Sequence, residues 1–172
     1  MSELHSQQSQ DIDSPELTLR ATTEADRTYV ARLNFLTDTF GDEHADLPDC
    51  FDDDFIYYVE NWKADQGGFI AWRGNVPAGG TWIVWGTQDN HGYGFVEESI
   101  PELCIAVEAR FKGQGIGTAL LDAATELART LGAPGISLSV ERNNERAHRL
   151  YQHVGFSPAG ERDGHFILVK RF

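Results

Sequence analysis

Sulfur is scarce in this chain: 172 residues contain two cysteines, Cys50 and Cys104, and one methionine. Two cysteines set 54 positions apart give no disulfide framework and no metal-type spacing. Cations are scarce too, with 14 Lys and Arg against 27 Asp and Glu, a formal net charge of −13. That balance speaks against nucleic acid as a partner, because neutralising phosphates requires clustered cationic side chains. An acidic surface favours cationic acceptors or serves solubility. No apolar stretch approaches the roughly 20 residues needed to span a bilayer. The opening MSELHSQQSQDIDS is mostly polar and lacks the apolar core of a signal peptide. These absences lead us to expect a soluble, cytoplasmic protein with no membrane partner. Repeats and low-complexity segments are missing as well, so repeat architectures are excluded.

What is present is enough for one core. Hydrophobic residues make up 41% of the chain, with 10 Phe, 5 Tyr and 4 Trp, as in a globular domain. We expect a mobile amino-terminal tail over residues 1–15 and one domain over 16–172. Glu16–Arg20 reads as a first strand, followed by a helix start at Thr22 or Thr23 with Glu24 and Asp26. Tyr29, Val30, Leu33 and Leu36 recur at helical spacing. Asp42–Asp54 is acidic and turn-rich, and Phe55–Trp62 fits a second short helix. Phe69–Trp72 and Thr81–Trp85 alternate as strands do, and Leu103–Val107 makes a fourth. A helix runs from the glycines after residue 112 to Gly132, with Ile116, Ala119, Leu120, Ala123, Leu127 and Leu131 on its apolar face. Ile136–Val140 is a fifth strand, Asn144–His153 a helix closed by Gly155, and Phe166–Val169 the last strand. The order is mixed α/β.

The most informative stretch is Leu103–Leu121, LCIAVEARFKGQGIGTALL. A strand ends at Val107, and Gly113, Gly115 and Gly117 then open a helix. Glycine lets backbone approach a ligand closely, and a helix start aims free N–H groups and the positive dipole end into the loop. That combination cradles phosphate. A dinucleotide fingerprint would need glycine at 118, where Thr118 stands, and a P-loop would need Gly-Lys-Ser/Thr, which is absent.

Lys112-Gly113-Gln114-Gly115-Ile116-Gly117-Thr118 resembles the acyl-CoA pyrophosphate loop of the GCN5-related N-acetyltransferases (GNAT), whose pattern is Arg or Gln, two residues, Gly, one residue, then Gly or Ala. Lys112 stands in the Arg/Gln place, a departure that keeps a long cationic group. Downstream, Asn144-Glu145-Arg146-Ala147-His148-Arg149-Leu150-Tyr151-Gln152-His153-Val154-Gly155-Phe156 resembles the family's Asn-x-x-Ala-x-x-Leu-Tyr-x-x-x-Gly-Phe. The resemblance covers residues 94–172 and, more loosely, the chain from near Leu17. It implies the GNAT fold, a central mixed, mostly antiparallel sheet flanked by helices and splayed between strands 4 and 5. It also implies transfer of an acetyl group from acetyl-CoA to a primary amine of a small molecule, polyamine or peptide, with no metal, in a protein that is often a dimer.

The resemblance carries roles to particular residues. It implies backbone pairing of Ile105 and Val107 with the pantetheine arm, with Ala106 between them also binding the cofactor, and pyrophosphate contacts from Lys112, Gly113, Gln114, Gly115, Ile116, Gly117 and Thr118. Asn144 then contacts the arm or caps the helix. Tyr151 falls where the family keeps a tyrosine beside the CoA sulfur, and a neutral phenol with a pKa near ~10 can donate to a departing thiolate. A core tyrosine is the alternative. An amine of pKa ~10.4 costs roughly 5 kcal/mol to present neutral at pH 7, so a base is needed. Glu102 is the candidate: strand alternation puts Glu102, Cys104 and Ala106 on the face opposite Leu103, Ile105 and Val107. Glu97 and Glu98 are alternatives, as is an exposed strand-end role for Glu102. Leu150 and Phe156 are assigned to the core, the four tryptophans to the core or a dimer contact, and His148 and His153 to a helix surface. His44 with its acidic neighbours matches no metal ligand set. Two other readings are an acyl-CoA-binding sensor without turnover and an interaction domain that binds no CoA.

Overall fold

In the computed structural model, described over residues 15–172, seven strands form one sheet in the order β1-β2-β3-β4-β5-β7-β6. The tail expected over residues 1–15 lies outside the described residues apart from Pro15. Strand β1 (Leu17–Ala21) is followed by a 3-10 turn and helix α1 (Arg27–Asp38), then by α2 (Phe51–Phe55), which continues as a π-helical turn over Ile56–Glu60. Strands β2 (Gly68–Arg73) and β3 (Val76–Val84) form a hairpin, and a long loop leads to β4 (Glu102–Val107). Helix α3 (Ile116–Thr130), β5 (Gly135–Glu141), α4 (Glu145–His153), β6 (Ser157–Arg162) and β7 (His165–Arg171) complete the order. All neighbours are antiparallel except β4 and β5.

That one parallel pair shapes the site. Strand β4 pairs with β3 from end to end but meets β5 only at Glu102 opposite Ser137. Beyond that point the two strands part, as the resemblance implied, and a wedge opens in the sheet.

The faces are covered differently. Val30, Leu33 and Leu36 of α1 pack with Tyr58, Val59 and Trp62 against Ile70, Trp82 and Val84. On the other face, Leu121, Ala124 and Ala128 of α3 pack against Ile83, Leu103, Ile136 and Leu138. Ala147, Leu150 and Tyr151 of α4 pack beside them. The alternation expected along β4 holds: Leu103 and Ile105 face α3, while Cys104 and Ala106 face α1.

Four expectations are corrected. The apolar face of α3 is rotated: Leu121, Ala124, Thr125 and Ala128 are buried, and Leu131 is 51% exposed. Thr125 fits the buried stripe because its hydroxyl donates to Leu121 O at 2.8 Å, which removes the desolvation cost of a bare polar group. Strand β3 starts five residues before Thr81, since Gly74-Asn75 alone makes the turn. The second helical segment begins at Phe51, inside the stretch read as loop. Strand β6 escaped the sequence reading because it is an edge strand with five of its six residues exposed, so period-2 alternation is absent. Trp62 and Trp82 are core residues. Among the described residues no helix is long and apolar enough to cross a membrane.

Candidate active site

The glycine loop is built by backbone conformations that other residues resist. Gly113 and Gly115 have φ of 79° and 78°, the left-handed region that costs an L-residue roughly 1–2 kcal/mol. Gly115 is the N-cap of α3. The first helical bond runs from Ala119 N–H to Gly115 O, 3.1 Å, which leaves the N–H groups of Ile116, Gly117 and Thr118 without an intrahelical acceptor. A Cβ built on Gly113 or Gly115 meets nothing within 4 Å. The glycines therefore keep bare backbone facing an open groove, not facing other protein atoms.

That groove, about 370 Å³, is lined by Ile105, Val107, Lys112, Gly113, Gly115, Ile116, Gly117, Thr118, Asn144 and Tyr151, together with Phe111, Arg146, Ala147 and Leu150. The two sequence motifs thus face each other across it. Ala106 and Gln114 are not among its lining residues. Ala106 turns away for a geometric reason. Glu108 N–H donates to Ala78 O (2.9 Å) and Cys104 O accepts from Thr81 Oγ1 (2.7 Å). Backbone polar groups alternate sides along a strand, so those of Cys104 and Ala106 face β3 while those of Ile105 and Val107 face the wedge. Leu150, read as core, is only half-buried and forms part of the groove wall. Arg146 was missed because an exposed arginine on a helix carries no signal until the groove is seen. His148, read as surface, is half-buried against Phe166 at 5.0 Å between ring centroids. The end of β4 is fixed by Glu108, which accepts from Arg32 (2.7 and 2.9 Å) and from Tyr29 Oη (3.1 Å). Asn144 caps α4, its Oδ1 accepting from Ala147 N–H at 3.3 Å.

A second, smaller cavity of about 120 Å³ lies on the α1 side of the wedge. Asn34, Asp38, Asp54, Tyr58, Tyr93, Glu102, Ser139, Glu141 and His165 line it, and so do Ile105 and Tyr151. Glu102 is 4% exposed, so it is not a strand-end surface carboxylate. Its Oε2 accepts from Tyr58 Oη at 2.8 Å, and Tyr58 Oη in turn accepts from Tyr93 N–H at 2.9 Å. Its Oε1 is buried and has no hydrogen-bond partner among the described residues, although the nearby Gly94 backbone N–H also draws the carboxyl down. A Cβ at Gly92 would lie 2.5 Å from that oxygen, so the loop before β4 needs glycine there to close over the carboxylate. Burial pushes the Glu102 carboxyl up to about 7, with the Tyr58 hydrogen bond opposing. Burial pushes Asp38 up to about 7 as well, helped by Asp54 and Glu141. The Tyr151 hydroxyl is pushed up to about 12 by burial and then by Cys104, with no hydrogen bond contributing. Glu97 and Glu98 are elsewhere engaged, with Arg171 (3.1 Å) and Gln88 N–H (3.2 Å). From the acidic stretch Asp42–Asp54, Asp54 reaches the cavity, whereas Asp42, Glu43 and His44 border a separate recess with Arg32 and Arg110. Among the described residues no three His, Cys, Asp or Glu side chains group as a metal site.

Ile105 and Tyr151 line both spaces. The groove and the acidic cavity therefore meet at the wedge, beside the tyrosine.

The family described as "Acetyltransferase (GNAT) family" matches residues 29–156. This chain belongs to the GNAT acetyltransferases. Among GNAT relatives, the mycothiol acetyltransferase of Beutenbergia cavernae is 41% identical over 108 residues, 55% of this chain and 36% of that protein. A putative [ribosomal protein bS18]-alanine N-acetyltransferase of Bacillus subtilis is 34% identical over 62 residues, 36% of this chain and 41% of that protein. The matches thus span about a third of the length of the mycothiol acetyltransferases. The GNAT fold is shared with PaiA N-acetyltransferase from Thermoplasma acidophilum, solved in complex with coenzyme A. Its TM-score is 0.63 at 16% identity, over 91% of this chain and 99% of that one. The ribosomal-protein-S18-alanine N-acetyltransferase of Escherichia coli gives 0.62 at 18%, over 91% and 94%.

Proposed function

We propose that this GNAT protein transfers the acetyl group of acetyl-CoA to a primary amine held in the acidic cavity. The observation that carries the reading is the junction: Tyr151 and Ile105 border both the glycine-loop groove and the cavity containing Glu102. The groove suits the co-substrate. Its bare N–H groups at Ile116, Gly117 and Thr118, with the cations Lys112 and Arg146 on its wall, match a pyrophosphate. The free backbone edge of Ile105 and Val107 matches the amides of an extended pantetheine arm.

Acetyl-CoA supplies an acetyl group activated as a thioester. The chain's residues supply placement and proton traffic. An ammonium entering the cavity meets Glu102, whose unpartnered Oε1 takes one proton; a carboxyl raised to about 7 is matched to base work near neutral pH. The amine nitrogen bonds to the acetyl carbon as the carbon–sulfur bond breaks. The Tyr151 hydroxyl gives its proton to the sulfur and is restored by the second proton of the amine. One amide, one CoA thiol and one released proton result.

Calorimetric titration with acetyl-CoA, followed by thiol release in the presence of amines, tests this reading. Binding with amine-dependent thiol release supports it, and binding without release from any amine would leave the sensor reading in its place. Gly115→Val is expected to weaken acetyl-CoA binding at least tenfold, because the branched side chain strains a φ of 78° and projects into the groove. An unchanged Kd would contradict the cradle.

A further inference from the structure

The cavity on the α1 side holds more carboxyl groups than one reacting amine needs. Four carboxylates line it, Asp38, Asp54, Glu102 and Glu141, and no Lys or Arg does. The hydroxyl donors to Asp54 and Glu102 are neutral, and Arg162 offsets part of the charge at Glu102. Asp54 accepts from the neutral Tyr93 hydroxyl at 3.0 and 3.2 Å. Glu102 uses one oxygen on Tyr58, also neutral. Among the described residues Glu141 has only His165 Nε2, 3.9 Å away. Arg162, on β6, is committed to the loop over the cavity, its Nη1 donating to Tyr93 O and Phe95 O at 2.9 Å each. Among the described residues two buried oxygens, Asp38 Oδ2 and Glu102 Oε1, are left with no partner.

Buried carboxylates are normally paired. Here two carboxylates at different places in one cavity, the buried Glu102 and the half-buried Asp38, each keep one buried oxygen that has no donor among the described residues. Glu102 sits on β4 at the wedge, while Asp38 ends α1 and lies within electrostatic reach of Asp54 and Glu141. One ammonium placed at Glu102 for reaction leaves the Asp38 group unmatched. The cavity, about 120 Å³, is the smaller of the two spaces that meet at the wedge.

We infer that the acceptor is a short dicationic amine. Its reacting end lies between Glu102 and Tyr151, and its second ammonium lies against Asp38, with Asp54 and Glu141 completing the charge. This rests on the acetyltransferase reading above and narrows its substrate.

The test compares thiol release from acetyl-CoA with 1,4-diaminobutane, with n-butylamine, and with a short peptide bearing an N-terminal alanine. The diamine is expected to exceed both others at least tenfold in kcat/KM. In Asp38→Asn its advantage over butylamine is expected to fall below threefold, and Glu141→Gln, a second variant kept in case the first misfolds, is expected to reduce the same ratio. Equal rates for diamine and butylamine, a preference retained by both folded variants, or a better rate with the peptide would each overturn the dicationic acceptor and leave the acetyltransferase standing. No thiol release with any of the three from folded protein that binds acetyl-CoA would overturn both.

Discussion

Replacing Glu102 by Gln is expected to lower kcat/KM for the amine by about 10²–10⁴-fold, the usual range for removing a general base. The pH profile distinguishes this from a structural effect. The Glu102 carboxyl is raised to about 7 by burial, so the basic form grows as pH rises, and wild-type activity climbs through that value. The variant loses this limb. A wild-type rate flat between pH 6 and 8, or a limb retained in the variant, would remove Glu102 as the base.

The same shift predicts stability with the opposite sense. A carboxyl whose folded pKa lies above its unfolded value of 4.5 binds its proton more tightly in the folded state. Its stabilising contribution is fully present below about pH 4.5 and is lost as pH rises through about 7. Glu102→Gln therefore gains on the wild type as pH rises, by an amount on the order of 3 kcal/mol at pH 8. Thermal melts at pH 5 and pH 8 check this. A variant that gains nothing between the two would contradict a carboxyl raised by burial.

Tyr151→Phe is expected to lower kcat by about 10²-fold while changing the acetyl-CoA Kd far less, because the ring that lines the groove is kept and only the hydroxyl is lost. The hydroxyl, raised to about 12, stays protonated through the working range. Tyr151 therefore adds no falling limb to the wild-type profile below about pH 11. Steady-state kinetics beside calorimetry separates the outcomes. Unchanged kcat would return Tyr151 to the role of a packing residue, and a large loss of affinity with kcat preserved would make it a cofactor contact alone.

The groove was legible in the sequence because its demands are local. Three glycines at alternate positions after a strand state where bare backbone and a helix start must lie, and Asn144 to Tyr151 present one helix end and face to it. Glu102 followed from alternation along a single strand, which the pairing of β4 with β3 preserves without a bulge. The rest of the cavity was not legible. Asp38, Asp54, Tyr58 and Tyr93 come from three segments separated in the chain, and no spacing links them before the helices pack on the sheet. Tyr58 is presented by a π-helical turn at Ile56–Glu60, a conformation that no pattern of apolar residues announces. Gly92 and Arg162 likewise acquire meaning only when the loop before β4 closes over Glu102. Strand β6 was hidden because its exposed edge carries no apolar alternation.

The most direct test of the account is the stoichiometry of one reaction: purified protein, acetyl-CoA and 1,4-diaminobutane, with CoA thiol and acetylated amine measured together over time. The account predicts equal amounts of the two, a rate that rises with pH through about 7, and formation of both products slowed about 10²-fold in Tyr151→Phe. Thiol release that continues without an amine, or at the same rate when Tyr151 is replaced, would contradict it.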